Sequence, residues 1–377
     1  FTDEFRTDYQ EHLYLETLRA VAVPEGPRIV IYSPLQIPDA VPAMASLVLG
    51  WSADRVRVVC PTIGGAFGGK IETPIFLAIH AALAALKTQK PVRIIYDREE
   101  DILVSTKRHP SRIRMRSGVN GNNEITAIDM AIDYMGGYYK GSSLVILDQA
   151  MKMSTGPYRF ENVRVNGKVI ATNRLVPGAT RGFGVVQIVS AVETHMCRVA
   201  RRLGVDPLDF RLRHILRKGD RTCTGGLVRD EVKMNEILDA IEAASRYREK
   251  RRLWPQQQTS VRRKGIGMAL YAFGAPHTVK STYRYKPRVL ALRRNGSGNV
   301  EILTTIVEIG QGIQTSLREI AARVLEIPLE RVSMRNPDTD RDPYTRGTGA
   351  SLGIVLFGKS VERAALPQWI AQRLAAQ

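Results

Sequence analysis

The sequence has 377 residues, of which 44% are hydrophobic and 24% are charged, and its formal net charge is +18. This composition excludes a disordered or fibrous chain and is typical of a globular protein with more than one domain. No run of about 18 apolar residues occurs, so a membrane span is not expected. The positive charge favours anionic partners, but it is dispersed and no nucleic-acid-binding motif accompanies it, so nucleic acid is not an expected partner.

Strand, turn and helix patterns predict a mixed α+β chain. In chain order the predicted elements are a strand over 55–60, a helix over 73–86, a strand over 91–97, a hairpin turning at Asn120-Gly121, helices over 186–203 and 207–216, a hairpin turning at Asn295-Gly296, and helices over 313–324 and 352–365. His195 lies on the apolar face of its helix and is interpreted as a hydrogen-bonded core residue.

A basic stretch at residues 246–264 divides the chain. It has Pro255 and three glutamines at its centre and is interpreted as an exposed linker. It separates a first domain over residues 1–245 from a second domain over residues 265–377.

The three cysteines, Cys60, Cys197 and Cys223, lie far apart and form no C-x-x-C pair. This spacing excludes a disulfide framework and a zinc or iron–sulfur site within the chain, and it favours a reducing compartment, so we expect a cytoplasmic protein. The first residue is Phe1 and not a methionine. We therefore expect that the true beginning of the chain is missing.

Residues 64–70 read GGAFGGK and satisfy the G-x-x-x-x-G-K part of a phosphate-binding P-loop. The full motif needs Ser or Thr next, where Ile71 stands. A P-loop helix begins at the Gly-Lys itself, and Pro74 inside that helix would clash with the carbonyl of residue 70 at a cost of about 3 kcal/mol. The helix is therefore expected to begin near Pro74, with Thr73 as its N-cap, after a free-standing loop.

Four segments rich in glycine occur along the chain, and three of them precede predicted helices. The first to fourth glycine segments are GGAFGGK (64–70), GATRGFG (178–184), IGQGIQT (309–315) and GTGAS (347–351). Glycine lets a backbone approach a ligand closely, and helix starts carry N–H groups that favour anions. The four segments together predict one site for a large phosphate-bearing cofactor.

At these segments the sequence resembles the molybdopterin-binding subunit of the xanthine dehydrogenase and aldehyde oxidase family, the molybdenum hydroxylases. Six motifs occur in the family's order: QEHLYLET (10–17), GGAFGGK (64–70), DREEDILVSTKRHP (97–110), ATRGFGVVQ (179–187), VEIGQG (307–312) and GTGAS (347–351). Each is weak alone, but six in order are specific. The resemblance implies an elongated two-domain α+β fold that binds a molybdenum cofactor, with the second domain incomplete in this sequence.

The resemblance implies a pyranopterin dithiolene, often in its cytosine dinucleotide form, that holds molybdenum through sulfur. Gln10 would hydrogen-bond an oxygen on the metal, and the backbone around Phe67, Arg181 and Ala350 would contact the other metal ligands. Gln10 and Arg181 are thus the candidate catalytic residues. The remaining candidate cofactor-binding residues are Gly65, Gly68, Gln311, Gly312, Thr348 and Ser351.

The implied reaction is oxidative hydroxylation of an electrophilic carbon, with water as the oxygen source and the cofactor carrying the redox chemistry. Electrons would leave through [2Fe-2S] clusters to FAD, both on partner chains. The family's general base is a glutamate downstream of the fourth glycine segment, so we expect either further sequence or a second molybdopterin subunit to supply it. The alternatives are an inactive homologue or assembly scaffold that lacks this base and, third, a P-loop NTPase.

Purine-oxidising members carry a glutamate directly after GGK and an arginine about thirty residues before RGFG, which bind opposite ends of the purine. Ile71 and Gln149 stand at these places. Phe183 would stack against a substrate ring, while His277, followed by Thr278, stands at the second aromatic wall. Because a site built on such charged pairs discriminates strongly, their loss disfavours xanthine. The expected small-molecule substrate is an aldehyde or a less polar N-heterocycle.

Overall fold

The computed structural model describes residues 1–273, 290–345, 347–351 and 353–375. The strands are β1 (Thr2–Thr7), β2 (Arg19–Glu25), β3 (Arg28–Tyr32), β4 (Val56–Val59), β5 (Val92–Ile95), β6 (Ser111–Val119), β7 (Ile125–Gly137), β8 (Asn162–Ala171), β9 (Ala291–Arg294), β10 (Val300–Leu303) and β11 (Val332–Met334). The α-helices are α1 (Ala40–Leu49), α2 (Thr73–Thr88), α3 (Arg98–Val104), α4 (Ser143–Lys152), α5 (Val185–Arg202), α6 (Pro207–His214), α7 (Met234–Ser245), α8 (Tyr247–Leu253), α9 (Ile313–Leu325) and α10 (Gly358–Ala375). None of the helices in these ranges is long and apolar enough to cross a membrane.

The first sheet has the strand order β1-β6-β7-β8, and its strands pair antiparallel except for β7 with β8. Alternation along β6 buries Ile113 and Met115. Helices α4, α5 and α6 complete this core, and α5 contributes Ile188, Val192 and Met196 at helical spacing. The second glycine segment lies at the start of α5, so the position of this segment is set by the largest core.

The second sheet has the strand order β4-β3-β2-β5 and packs against α1 and α2. The N-cap of α2 is Glu72, one residue before the predicted cap, and Pro74 lies in its first turn. Leu77 and Ala81 bury the apolar face of α2 in this core. The prediction that the helix begins near Pro74 is confirmed, and the first glycine segment is a free-standing loop.

The third sheet, β11-β10-β9, packs against α9 and α10. Both predicted hairpins are present, as β6 with β7 and as β9 with β10. The last helix differs from the prediction, because a π-helical turn over Gly353–Phe357 precedes α10 and moves the start of the α-helix to Gly358.

The edge of β4 is covered by a segment from the end of the chain. The Cys60 N–H donates to the Pro337 carbonyl over 2.9 Å, and the Thr339 N–H donates to the Val58 carbonyl over 3.0 Å. Asp338 forms a β-bridge with Val59 between these two bonds. Residues 337–339 therefore join the second sheet to the part of the chain that carries the third.

The basic stretch at 246–264, predicted to be an exposed linker, is helical at its beginning and is exposed throughout residues 255–264. Its first part forms α8, followed by a 3₁₀ turn over Trp254–Gln257. Tyr247 is 2% exposed and packs into the core of the first sheet. The burial of one aromatic side chain thus attaches the beginning of this stretch to the first sheet, while the boundary at residue 245 stays a prediction.

His195 is a core residue with both ring nitrogens hydrogen-bonded, as predicted. Its Nε2 lies 2.9 Å from Ser117 Oγ and its Nδ1 lies 2.7 Å from Asp3 Oδ2. The ring joins α5 to β1 and β6 and has no further role in the site described below.

Candidate cofactor-binding site

The first and second glycine segments are in direct contact. The Arg181 N–H donates to the Phe67 carbonyl over 2.8 Å. Gly68 has a φ of +100°, and a Cβ there would lie 2.6 Å from the Ala179 carbonyl oxygen, so this approach requires glycine. His12, from the QEHLYLET motif, places its Nε2 2.9 Å from the same oxygen. Three of the six motifs therefore meet here.

Gln36 connects the first glycine segment to the fourth. Its Oε1 accepts from the Gly68 N–H over 3.0 Å, and its Nε2 donates to the Thr348 carbonyl over 2.9 Å. The Gln36 carbonyl also accepts from the Thr348 N–H over 2.8 Å. Gln36 was not predictable as a site residue, because a single glutamine between two prolines belongs to no motif.

The third glycine segment completes the contact. Thr348 Oγ1 donates to the Val307 carbonyl over 2.7 Å and accepts from the Val307 N–H over 2.8 Å. The Ile63 N–H, just before the first segment, donates to the Glu308 carbonyl over 3.3 Å. Hydrogen bonds therefore link the first, second and fourth glycine segments, and the third is joined to them through Val307 and Glu308, the two residues directly before it.

Several N–H groups at the start of α9 find their acceptors within the chain itself. The Glu308 carboxylate accepts from the N–H groups of Gly310, Gly312 and Gln314 over 2.8, 3.0 and 3.2 Å. The Gln311 side chain hydrogen-bonds the backbone of its own loop. These contacts satisfy N–H groups near the helix start within the chain. Gln311 and Gly312 thus use polar groups to hold their own loop, and those groups would otherwise be open to a ligand.

Strained backbone is concentrated in the motifs. Nine non-glycine residues within the described ranges have a positive φ, and four of these are helix C-caps or turn residues. The other five lie in the QEHLYLET motif or in the glycine segments: Leu13, Phe67, Phe183, Ala350 and Ser351. Such strain costs about 1 to 3 kcal/mol per residue and collects at ligand sites.

Four of these five strained residues also carry unused N–H donors within the described ranges, and Leu13 is the one of the four outside the glycine segments. Across the described part of the chain, no atom accepts a hydrogen bond from the N–H of Phe67, Ala350 or Ser351. Phe67 is 44% exposed, so its backbone lies at an accessible surface. The structure therefore leaves fixed backbone donors at three positions that the sequence assigned to cofactor binding.

The two candidate catalytic residues are brought together by Arg108. Its Nε donates to Gln10 Oε1 over 2.7 Å, and its Nη2 donates to the Arg181 carbonyl over 2.8 Å. Gln10 Oε1 is thus occupied, whereas its Nε2 donates to no atom in the described part of the chain. Arg108 belongs to the motif at 97–110 but was not predicted as a site residue, although the run Lys107-Arg108-His109 was the available signal.

Lys70 is not placed as a P-loop lysine. Its side chain is fully buried and its Nζ lies 2.9 Å from Glu16 Oε2 and 4.7 Å from the centre of the Tyr14 ring. Burial lowers the pKa of the Lys70 ammonium, and the Glu16 carboxylate partly offsets this shift. Glu16 also accepts from the Gly64 N–H over 2.7 Å. Lys70 therefore stabilises the first glycine segment through its ion pair with Glu16, and its buried ammonium is not accessible to a phosphate.

The predicted substrate residues are only partly described. Gln149 lies on α4 and is 7% exposed, while Ile71 and Phe183 are half-buried. Helix α4 packs against the glycine after Phe183, since a Cβ there would lie 2.6 Å from a carbonyl oxygen of α4. The structure thus places Gln149 and Phe183 on elements in contact, whereas His277 and Thr278 lie outside the described residues.

Two parts of the sequence match the molybdopterin cofactor-binding domain family, over residues 1–215 and 240–375. The chain belongs to this molybdopterin-binding family. It is 34% identical over 359 residues to the xanthine dehydrogenase of Drosophila pseudoobscura pseudoobscura and 32% identical over 359 residues to aldehyde oxidase 3 of Mus musculus. These alignments cover 93% and 94% of this chain but 26% and 27% of the relatives, so the chain spans about a quarter of their length.

The fold of this molybdopterin-binding chain is shared with the aldehyde oxidoreductase of Desulfovibrio gigas. The TM-score is 0.85 at 23% identity, and the match covers 97% of this chain and 40% of that chain. The α+β molybdenum-cofactor-binding fold implied by the six motifs is therefore confirmed, as is the resemblance itself.

The residues of the site fit molybdopterin. Among the described residues, no group of three or more His, Cys, Asp or Glu side chains is placed to hold a metal ion. What the site offers instead are donors with no acceptor among the described residues: the Gln10 Nε2 and the N–H groups of Phe67, Ala350 and Ser351. Arg108 Nη1 is buried and also lacks a partner. Such a set suits an anionic cofactor that brings its own metal ligands.

His109, directly behind the site, makes stability depend on pH. It is 1% exposed and its Nε2 lies 2.8 Å from Ser143 Oγ. Burial, together with the charge of Arg108, lowers the pKa of His109 from its usual 6.5 to about 4. The unfolded chain therefore binds more protons between these values, so the stabilisation is complete above pH 6.5 and is lost as the pH falls towards 4.

We expect the free energy of unfolding to fall by roughly 2 to 3 kcal/mol between pH 7 and pH 4.5 because of His109 alone. Between pH 7 and pH 4.5 the free energy of unfolding of the His109→Gln variant should fall by roughly 2 to 3 kcal/mol less than that of the wild-type protein. Denaturant unfolding at each pH measures this difference. Replacement of the exposed His80 by glutamine is the matched control. Equal pH dependence of the wild-type and His109→Gln proteins contradicts this expectation.

Proposed function

We propose that this chain is part of the catalytic subunit of a molybdenum hydroxylase, which oxidatively hydroxylates an aldehyde or an N-heterocycle with water as the source of oxygen. The observation that carries the proposal is that hydrogen bonds link the first, second and fourth glycine segments and the residues directly before the third, while Arg108 bonds both Gln10 and Arg181 at the same place. The similarity to xanthine dehydrogenase and aldehyde oxidase supports the same reaction class.

Bound molybdopterin supplies the two-electron redox chemistry. The chain's own contribution is to hold the cofactor through the Gln10 amide and the N–H groups of Phe67, Ala350 and Ser351. These donors are fixed by neighbouring backbone before the cofactor arrives, so they need no reorganisation as charge develops during the reaction. Phe183, beside α4, offers a flat apolar surface to a substrate ring.

The remaining parts of the reaction belong to groups beyond this chain. We propose that electrons pass to [2Fe-2S] clusters and FAD on partner chains and that the cofactor is the cytosine dinucleotide form. The general base comes from further sequence or from a second molybdopterin subunit. The three free thiols, Cys60, Cys197 and Cys223, support a reducing compartment such as the cytoplasm.

Metal and pterin analysis of the full-length protein or complex tests the proposal. About one molybdenum and one pterin per copy of this chain are expected, together with turnover of an aldehyde. Cofactor without turnover favours an inactive homologue, and the absence of both molybdenum and pterin overturns the proposal.

The complex should prefer benzaldehyde to xanthine by at least about tenfold in kcat/KM. Each hydrogen bond to a charged group contributes about 1.5 to 3 kcal/mol, and Ile71 and Gln149 make neither of the charged contacts that a purine would need. Steady-state turnover of the two substrates measures the ratio. The Gln149→Arg variant should lower the benzaldehyde-to-xanthine ratio of kcat/KM, because it raises xanthine turnover. An equal or larger kcat/KM for xanthine in the wild-type complex contradicts the preference.

A further inference from the structure

Arg108 is a buried cation without an acidic partner. It is 8% exposed, and its hydrogen bonds go to the neutral Gln10 amide and the Arg181 carbonyl. Within the described ranges, no carboxylate oxygen lies at ion-pair distance from its guanidinium, and Nη1 has no hydrogen-bond partner. The positive charge therefore lies behind the site, and no carboxylate of the described residues is placed to balance it.

The other buried cations nearby are balanced. Lys70 pairs with Glu16 at 2.9 Å, and Lys107 pairs with Glu11 at 2.6 Å. Burying a charge without a counter-ion is strongly unfavourable, because the lost hydration is not replaced. Consistent with this, burial lowers the pKa of the Arg108 guanidinium. Unlike Lys70 and Lys107, Arg108 thus has no counter-ion among the described residues.

We propose that Arg108 is a positioning residue of the cofactor site and that its charge is balanced by the bound cofactor, whose dithiolene and phosphate groups are anionic. This inference rests on the proposed function. The planar guanidinium bonds two groups at once, which fixes the Gln10 amide with Nε2 outward and fixes the backbone of Arg181. Without these two hydrogen bonds from the guanidinium, the Gln10 side-chain amide is free to rotate and to present its oxygen where an N–H donor is needed.

The test uses the full-length protein or complex carrying Arg108→Met, which keeps much of the side-chain volume and removes the charge. Molybdenum and pterin content per folded molecule should fall by about tenfold or more. Cofactor-free protein, made in a host that cannot synthesise the pterin, should keep a melting temperature close to wild type. No buried carboxylate is left unpaired by this change, so the cofactor-free fold loses little.

Arg211→Met is the matched control, because Arg211 is also a buried arginine but pairs with Glu193. Its cofactor-free protein should melt well below wild type, while the molecules that fold keep their molybdenum. Arg108→Lys keeps the positive charge but loses the planar guanidinium that bonds Gln10 and Arg181 at the same time. It should regain most of the molybdenum content but show a reduced kcat at unchanged KM.

Two results overturn the inference: a wild-type molybdenum content in Arg108→Met, or a cofactor-free melting temperature that falls as far in Arg108→Met as in Arg211→Met. The second result assigns Arg108 a purely structural role. The absence of molybdenum and pterin from the wild-type protein is a different outcome, since it removes the proposed function on which this inference rests.

Discussion

Replacing Gly347 with alanine is expected to destabilise the folded protein by about 3 kcal/mol or more and to prevent cofactor retention. Gly347 has a φ of +69°, and a Cβ there would lie 2.1 Å from the Gln36 carbonyl oxygen and 2.8 Å from Ile37 Cα. Both neighbours are backbone atoms, so no side-chain rotation relieves the clash. Moving the fourth glycine segment away would break the hydrogen bonds between Gln36 and Thr348.

Denaturant unfolding of the cofactor-free protein and molybdenum content of the loaded protein measure the two effects of Gly347→Ala. Gly349→Ala is the control for unfolding, because no atom lies within 4 Å of a Cβ at that position and its φ is not positive. The control should stay within about 0.5 kcal/mol of wild type. Wild-type stability and molybdenum content in Gly347→Ala would refute the assigned contact.

Arg211→Met is expected to lower the free energy of unfolding by about 3 to 5 kcal/mol, since it leaves a buried carboxylate unpaired. Glu193 accepts from Arg211 Nε over 2.9 Å, from the Tyr158 hydroxyl over 2.5 Å and from the Leu270 N–H over 2.8 Å. Although burial works against the cation, the neighbouring Tyr158 and Glu193 raise the pKa of Arg211. One carboxylate thus ties α5, α6 and residue 270 together.

The matched comparison for Arg211→Met is Arg248→Met, which removes the half-exposed ion pair with Asp209. Exposed pairs contribute about 0 to 1 kcal/mol, so this variant should remain close to wild type. The double variant Arg211→Met/Glu193→Leu should recover part of the loss, because it removes the unpaired charge as well. If Arg211→Met lowers the free energy of unfolding by less than about 1 kcal/mol, the buried Glu193 carboxylate does not need Arg211 for its stabilisation.

Local patterns in the sequence were sufficient to predict the glycine segments and about half of the helices and strands. Pro74 alone located the start of α2 and separated the first glycine segment from a P-loop, which the burial of Lys70 supports. The order of the six motifs predicted the fold, and the structure brings the candidate catalytic residues Gln10 and Arg181 together through Arg108. These features depend on residues close in sequence or on motif identity.

The residues that hold the segments together were not predictable in this way. Gln36 bonds Thr348, and Glu193 bonds Arg211 and Leu270, across long stretches of chain that carry no periodic or motif signal. The internal capping by Glu308 was missed for a related reason, because glycine-rich helix starts indicate N–H groups without showing which acceptor takes them.

The covering of β4 by residues 337–339 links synthesis of the chain to its solubility. Because an N-terminal region folds first as it leaves the ribosome, β4 is complete long before the segment that pairs with it has been made. During that interval the backbone groups of Val58 and Cys60 are open to strands of other nascent chains, which is how edge strands start aggregates. A shortened chain that stops at residue 245 keeps this edge open permanently. Protection of β4 and the bonding of the fourth glycine segment to Gln36 are thus both completed by the late part of the chain.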